Sequence, residues 1–155
     1  MGKTAVVFWS MTGNTEAMAN AVAEGVANAG GEAELIQASD FSVGMLGDYD
    51  AVAFGCPAMG VEVLEESEFE PMFESVEGSL GGRKIALFGS YDWGDGELMR
   101  TWQERCEGAG AVLASEPVIC NLEPDEEGLA NCRSLGEALV EGAPGNSKAG
   151  RSTRV

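Results

Sequence analysis

The sequence predicts an α/β fold: a doubly wound, five-stranded parallel sheet covered by helices on both faces, a three-layer α/β/α arrangement. Three observations predict it. Short apolar runs alternate along the 155 residues with stretches whose apolar side chains recur at helical spacing. The central runs lack the polar alternation of a sheet with one wet face, and read as strands buried on both sides. The first run leads at once into a hydroxyl-rich loop and then a helix, which is how a parallel crossover unit begins.

The first strand is Ala5–Trp9, apolar throughout. The next helix runs from Asn14 to Ala29, with Ala17, Met18, Ala21, Val22, Val26 and Ala29 along one face and Gly30-Gly31 as its stop. Glu34–Ile36 is a short second strand whose polar flanks suit a sheet edge, and Ser39–Asp50 is a weak helix or a plain connection. Ala51–Gly55 is the third strand. The chain from Val63 to Val76 is acidic, and Pro71 marks the first turn of a helix backed by Met72, Phe73 and Val76. Lys84–Gly89 is the fourth strand. Leu98, Met99, Trp102 and Cys106 stripe the helix after it, which closes at Gly108–Gly110. The fifth strand comes in two pieces, Ala111–Leu113 and Val118–Cys120, because proline at 117 has no N–H to give a ladder. A last helix covers about Asp125 to Val140, with Leu129, Cys132, Leu135 and Leu139 inward.

This is one domain, residues 1–141, large enough to bury a core without disulfides or metals. Residues 142–155 carry Lys148, Arg151 and Arg154, with no acid after Glu141, and read as a flexible basic tail outside the fold. The chain as a whole has 26 acids, nine bases and no histidine, a net charge of −17. Such a field repels nucleic acid and anionic membranes and attracts basic protein surfaces. Four cysteines without a C-x-x-C, in a chain without histidine, offer no metal-ligand set. Cys106, Cys120 and Cys132 lie on apolar stripes and are expected to be buried thiols, whereas Cys56, at a strand end, is left between core and site. No apolar run reaches membrane-spanning length and no secretory leader precedes the first strand, so a cytoplasmic location is expected.

In open α/β sheets ligands lie beyond the carboxyl ends of the strands. The loop after strand one is Ser10, Met11, Thr12, Gly13, Asn14 and Thr15, with three hydroxyls and a glycine in six residues. One helix cap needs fewer. No Lys or Arg occurs between Thr4 and Gly82, so an anion held here is held by dipoles: backbone N–H groups at the helix start, plus hydroxyl donors. After strand three come Cys56, Pro57, Ala58, Met59, Gly60, Val61 and Glu62, and after strand four Ser90, Tyr91, Asp92, Trp93 and Gly94. Met59 and Trp93, each beside a glycine in a surface loop, suit a planar ligand slotted between a thioether and an indole. The three loops together describe a planar, phosphorylated cofactor.

The runs Trp9-Ser10-x-Thr12-Gly13-Asn14-Thr15, Gly55-Cys56-Pro57-Ala58-Met59-Gly60, Glu70-Pro71-x-Phe73 and Ser90-Tyr91-x-Trp93-Gly94 resemble the flavodoxins, specifically the short-chain, clostridial-type group. The resemblance spans roughly Lys3 to Val140. It implies a strand order of 2-1-3-4-5 and a non-covalently bound FMN. It places Ser10, Met11, Thr12, Gly13, Asn14 and Thr15 around the 5′-phosphate, and Met59 and Trp93 on opposite faces of the isoalloxazine. Pro57, Ala58 and Val61 belong to the same ring loop. Glu62 is implied to accept from flavin N3, and the Gly60 carbonyl to turn toward N5–H and favour the neutral semiquinone. Ser90, Tyr91, Asp92 and Gly94 are implied to border the ring or the ribityl chain. The implied function is a low-potential one-electron carrier working on the semiquinone/hydroquinone couple. It would be a monomer that shuttles between a reductase and acceptor proteins with basic docking surfaces.

Two residues depart from the pattern. Val61 replaces a small or polar residue and is expected to bias the Gly60 peptide between its orientations. Asp92 stands where a glycine is usual and brings a carboxylate near the ring. The alternative function is a small FMN-dependent quinone or NAD(P)H oxidoreductase, but no long insertion supplies a substrate shelf. A receiver domain would need an acidic pair after strand one, an acceptor Asp after strand three and a Lys after strand five. None of these is present.

Overall fold

The computed structural model describes residues 3–9, 13–56, 68–91, 97–114, 117–121 and 124–141, for the backbone alone at 14, 90, 91, 97, 98, 121 and 141. In chain order the elements are β1 (Lys3–Phe8), α1 (Asn14–Asn28), β2 (Glu32–Gln37), β3 (Ala51–Gly55), α2 (Phe69–Glu77) and β4 (Lys84–Tyr91). They continue with α3 (Glu97–Gly108), β5 (Val112–Leu113), β6 (Val118–Asn121) and α4 (Glu126–Glu141). All pairings are parallel, in the order β2-β1-β3-β4-β5, with β6 also on β4. β5 pairs at Lys84 and Ile85 and β6 at Phe88–Tyr91, so the fifth position is filled by two short segments on one neighbour, as the proline at 117 predicts.

Side chains of the central strands alternate between two cores. Ala5, Val7, Val52, Phe54, Ile85 and Leu87 point to α2 and α3, while Val6, Phe8, Ala51, Ala53, Ala86 and Phe88 point to α1 and α4. Both sets are buried, which explains why these runs show no polar alternation in the sequence. On the first face Phe54, Phe73, Phe69 and Trp102 meet edge-on at centroid distances of 5.2 to 5.7 Å. Arg105 straps α3 to α2 above them, donating to both carboxylates of Glu70 and Glu77 at 2.8 to 3.1 Å with its guanidinium 4.9 Å from the Phe73 centroid.

The connection after β2 is more structured than its weak pattern predicts. It forms two short 3-10 turns, Ala38–Asp40 and Val43–Asp48, and buries Phe41, Leu46 and Tyr49. Tyr49 donates to Glu34 at 2.9 Å, and burial together with that carboxylate pushes its phenol up to about 12.

The inward face of α1 also differs from the simple stripe. Met18, Ala21, Val22 and Val26 are buried as predicted, Ala17 and Ala29 only half so, and Ala19 and Gly25 are buried instead. The reason is α4. A Cβ on Gly25 would overlap the Arg133 carbonyl, and one on Gly136 would overlap the Val22 carbonyl, so two glycines let the helix backbones touch.

At the amino edge of the sheet, Lys84 is 7% exposed and its ammonium donates to the Leu139 carbonyl in the last turn of α4, at 3.2 Å. That carbonyl has no partner within its own helix, and the helix dipole favours a cation there. Burial nevertheless lowers the Lys84 pKa to about 8. The same burial pushes the Cys106 and Cys132 thiols up to about 12, and raises that of Cys120.

Two outcomes are expected. Gly25→Ala gains about 1 kcal/mol of helix propensity but overpacks the helix contact, at about 1–3 kcal/mol. Urea denaturation is therefore expected to give a lower midpoint than wild type, and a higher one would contradict the contact. For Lys84, the folded chain releases its proton near pH 8 while the unfolded chain holds it to about 10.5. The unfolded state thus binds more protons across that window, and the lysine's contribution to stability rises with pH there. Wild type measured against Lys84→Met should gain up to about 1.4 kcal/mol per pH unit between those values. The buried thiols act in the opposite direction in both proteins and cancel in the difference.

Candidate functional site

The three predicted loops leave the same edge. Register aligns Phe8 with Gly55 and Gly55 with Phe88, so β1 and β3 end side by side while β4 runs on three residues along β6. The ladder continues one residue further on each side: the Trp9 N–H donates to the Gly55 carbonyl at 3.0 Å, and the Cys56 N–H to the Phe88 carbonyl at 3.2 Å.

Two glycines make this edge unusually close-packed. A Cβ on Gly55 would enter the Phe88 ring, and one on Gly89 would overlap the Cys56 carbonyl. The Cys56 main chain therefore lies directly against the β4 backbone at Gly89. Cys56 is 1% exposed, within the core facing α2 and α3, which settles it as a packing residue.

α1 begins at the same edge. Gly13, its N-cap, has φ +95°, a left-handed conformation that side chains other than glycine's rarely adopt. A Cβ there would meet no described heavy atom within 4 Å. The Gly13 carbonyl accepts from the Ala17 N–H at 2.9 Å, and Thr15 is buried in the first turn. Lys3, Arg83 and Lys84 stand at the amino ends of β1 and β4, and Arg100, in the first turn of α3, is on the opposite face of the sheet from α1. An oxyanion at the start of α1 thus meets helix dipole and N–H groups rather than ammonium or guanidinium.

Of the predicted site residues, Gly13, Asn14 and Thr15 lie at the start of α1, and Ser90 and Tyr91 end β4. Ser10, Met11 and Thr12, the stretch Pro57, Ala58, Met59, Gly60, Val61 and Glu62, and Asp92, Trp93 and Gly94 lie outside the described residues. Their flanks are described, and those flanks converge on one edge. Sequence reasoning missed Gly55 and Gly89, although a glycine within an apolar strand is a sign of close backbone approach. It also missed a hydrogen bond from the Trp9 indole to Glu68, 2.9 Å long, at the start of α2.

The described residues fit a phosphate-bearing cofactor: a left-handed glycine opens α1, and no Lys or Arg occurs in the sequence between Thr4 and Gly82. Comparison with known proteins decides which one. A family model described as Flavodoxin matches residues 6–136. The chain belongs to the flavodoxin family. It is 49% identical to a flavodoxin of Clostridium beijerinckii over 121 residues, covering 78% of this chain and 88% of that one. It is 44% identical to the flavodoxin of Megasphaera elsdenii over 136 residues, covering 88% and 97%. The solution structure of the two-electron reduced Megasphaera elsdenii flavodoxin superimposes with a TM-score of 0.81, covering 88% of this chain and 97% of that one at 43% identity. A flavodoxin from the domain Archaea gives 0.80 at 28% identity, covering 91% and 98%. As a flavodoxin the protein is an FMN-binding electron carrier and not an enzyme. Electron carriage implies redox partner proteins.

Proposed function

We propose that FMN lies across the carboxyl ends of β1, β3 and β4 and serves as a low-potential, one-electron relay between a reductase and acceptor proteins. The observation that carries this reading is the left-handed Gly13 that opens α1, in a stretch of sequence with no Lys or Arg between Thr4 and Gly82. Ser10, Thr12, Asn14 and Thr15 donate to the phosphate, with Met11 and Gly13 shaping the turn around it. Met59 and Trp93 clasp the ring, Pro57, Ala58, Gly60 and Val61 form its loop, and Glu62 accepts from its N3–H. Ser90, Tyr91, Asp92 and Gly94 border the opposite rim. When bound, the flavin supplies reversible one-electron chemistry.

The protein sets how costly charge on that ring is. Fixed dipoles neutralise the phosphate only partly, and acids around the mouth raise the cost of a negative ring. Packing by Met59 and Trp93 excludes the water that would solvate it. The second electron is therefore held at a lower potential than the first. The same acids, Glu65, Glu66, Glu74 and Asp95 among them, attract basic partner surfaces into fast, salt-sensitive encounters. Among the described residues no helix is long and apolar enough to cross a membrane, which suits a diffusing cytoplasmic monomer.

Anaerobic reductive titration of the FMN-loaded protein should show two separated one-electron steps, the second at the lower potential. A single two-electron step would overturn the relay reading. For the site, Thr12→Val is expected to weaken FMN by roughly 10- to 100-fold, a charge-assisted hydrogen bond's worth, and to leave riboflavin unaffected. Trp93→Ala should weaken both flavins, and fluorescence titration of the apoprotein measures each.

A further inference from the structure

Trp9 is the last described residue before the phosphate loop, and Glu68 is the first after the 57–67 segment that contains the ring loop. Their hydrogen bond, Trp9 Nε1 to Glu68 Oε1 at 2.9 Å, joins residues 59 apart in sequence. Each partner is itself fixed. The Trp9 main chain is held by Gly55, and its half-buried ring packs on the core facing α2 and α3. Glu68 is the N-cap of α2, its carbonyl accepting the Met72 N–H at 3.3 Å. Cys56 is hydrogen-bonded to Phe88 just before the 57–67 segment, and Glu68 to the Trp9 indole just after it.

We infer that Glu68 is a positioning residue that, through the Trp9 indole, couples the ring loop to the phosphate loop. The inference rests on the site assignment proposed above. Ordering a loop before its ligand arrives removes an entropy cost from binding. The bond spans the feet of both loops, so its loss should loosen the grip on both ends of the cofactor. A carboxylate near an anion site acts in the opposite sense through its charge, by repelling phosphate. The two roles therefore predict opposite signs for removal of Glu68.

The test is a double-mutant cycle on the apoprotein, reading FMN and riboflavin affinity by fluorescence and stability by urea denaturation. Glu68→Ala and Trp9→Phe should each weaken FMN by roughly three- to tenfold, the range of one modest hydrogen bond. The double variant should lose no more than the weaker-binding single one. Riboflavin should weaken in parallel, because the ring loop loses its anchor too. Glu68→Gln, which keeps an acceptor without the charge, should bind within about twofold of wild type. Urea midpoints of the apoproteins should stay together. Additive losses, tighter binding by Glu68→Ala or Glu68→Gln, an effect on FMN alone, or a matching loss of apoprotein stability would each overturn the coupling. Wild-type protein that binds FMN no better than riboflavin would instead refute the phosphate assignment beneath it.

Discussion

The molecule depends on burying both faces of three parallel strands at once. The described side chains in the middle of β1, β3 and β4 are buried on both faces. The chain therefore passes from β1 to β3 through α1, β2 and two 3-10 turns, and from β3 to β4 through α2, starting each strand from the same edge. That constraint delivers three loops to one place without any of them having to seek the others. The site is a by-product of strand direction. Its local refinements are glycines: Gly13 frees the backbone at the helix start, while Gly55 and Gly89 bring neighbouring strands and the exit of β3 into direct contact.

Charge is segregated along the same axis. The bases that begin β1 and β4 sit at the opposite edge from the loops, and one of them, Lys84, is committed to the end of α4. Arg105, in the last turn of α3, is committed to Glu70 and Glu77. These cations serve the scaffold. An edge that holds an anion without them keeps more of the anion's field, and that residual field bears on any charge developing on a ring nearby. A lysine in the phosphate loop would grip harder and make a second negative charge easier to add.

Most of the architecture was legible because apolar periodicity reports burial, and burial here is extreme. β3 matches its predicted bounds, and the fifth strand breaks where proline forbids pairing. What escaped was set by contacts between distant residues. Leu46 lies within a 3-10 turn and Phe41 and Tyr49 each end one, and such turns follow neither the helical nor the strand period. Gly25 is covered by a helix more than a hundred residues away. The site was legible as chemistry, because hydroxyls, glycine, sulfur and indole declare what they bind. Its bracing was not: nothing local marks Glu68 as the partner of Trp9, since a carboxylate in an acidic run looks like any other.

The glycine-to-backbone contact between α1 and α4 has a consequence for how the chain matures. These two helices form the most extensive contact between any pair of described elements. The helix that opens onto the phosphate loop is made first, and the one that clamps it follows only about a hundred residues later. During synthesis α1 therefore lacks its largest packing partner until α4 has been made, so the seam that steadies α1 closes only after the strands between them are available.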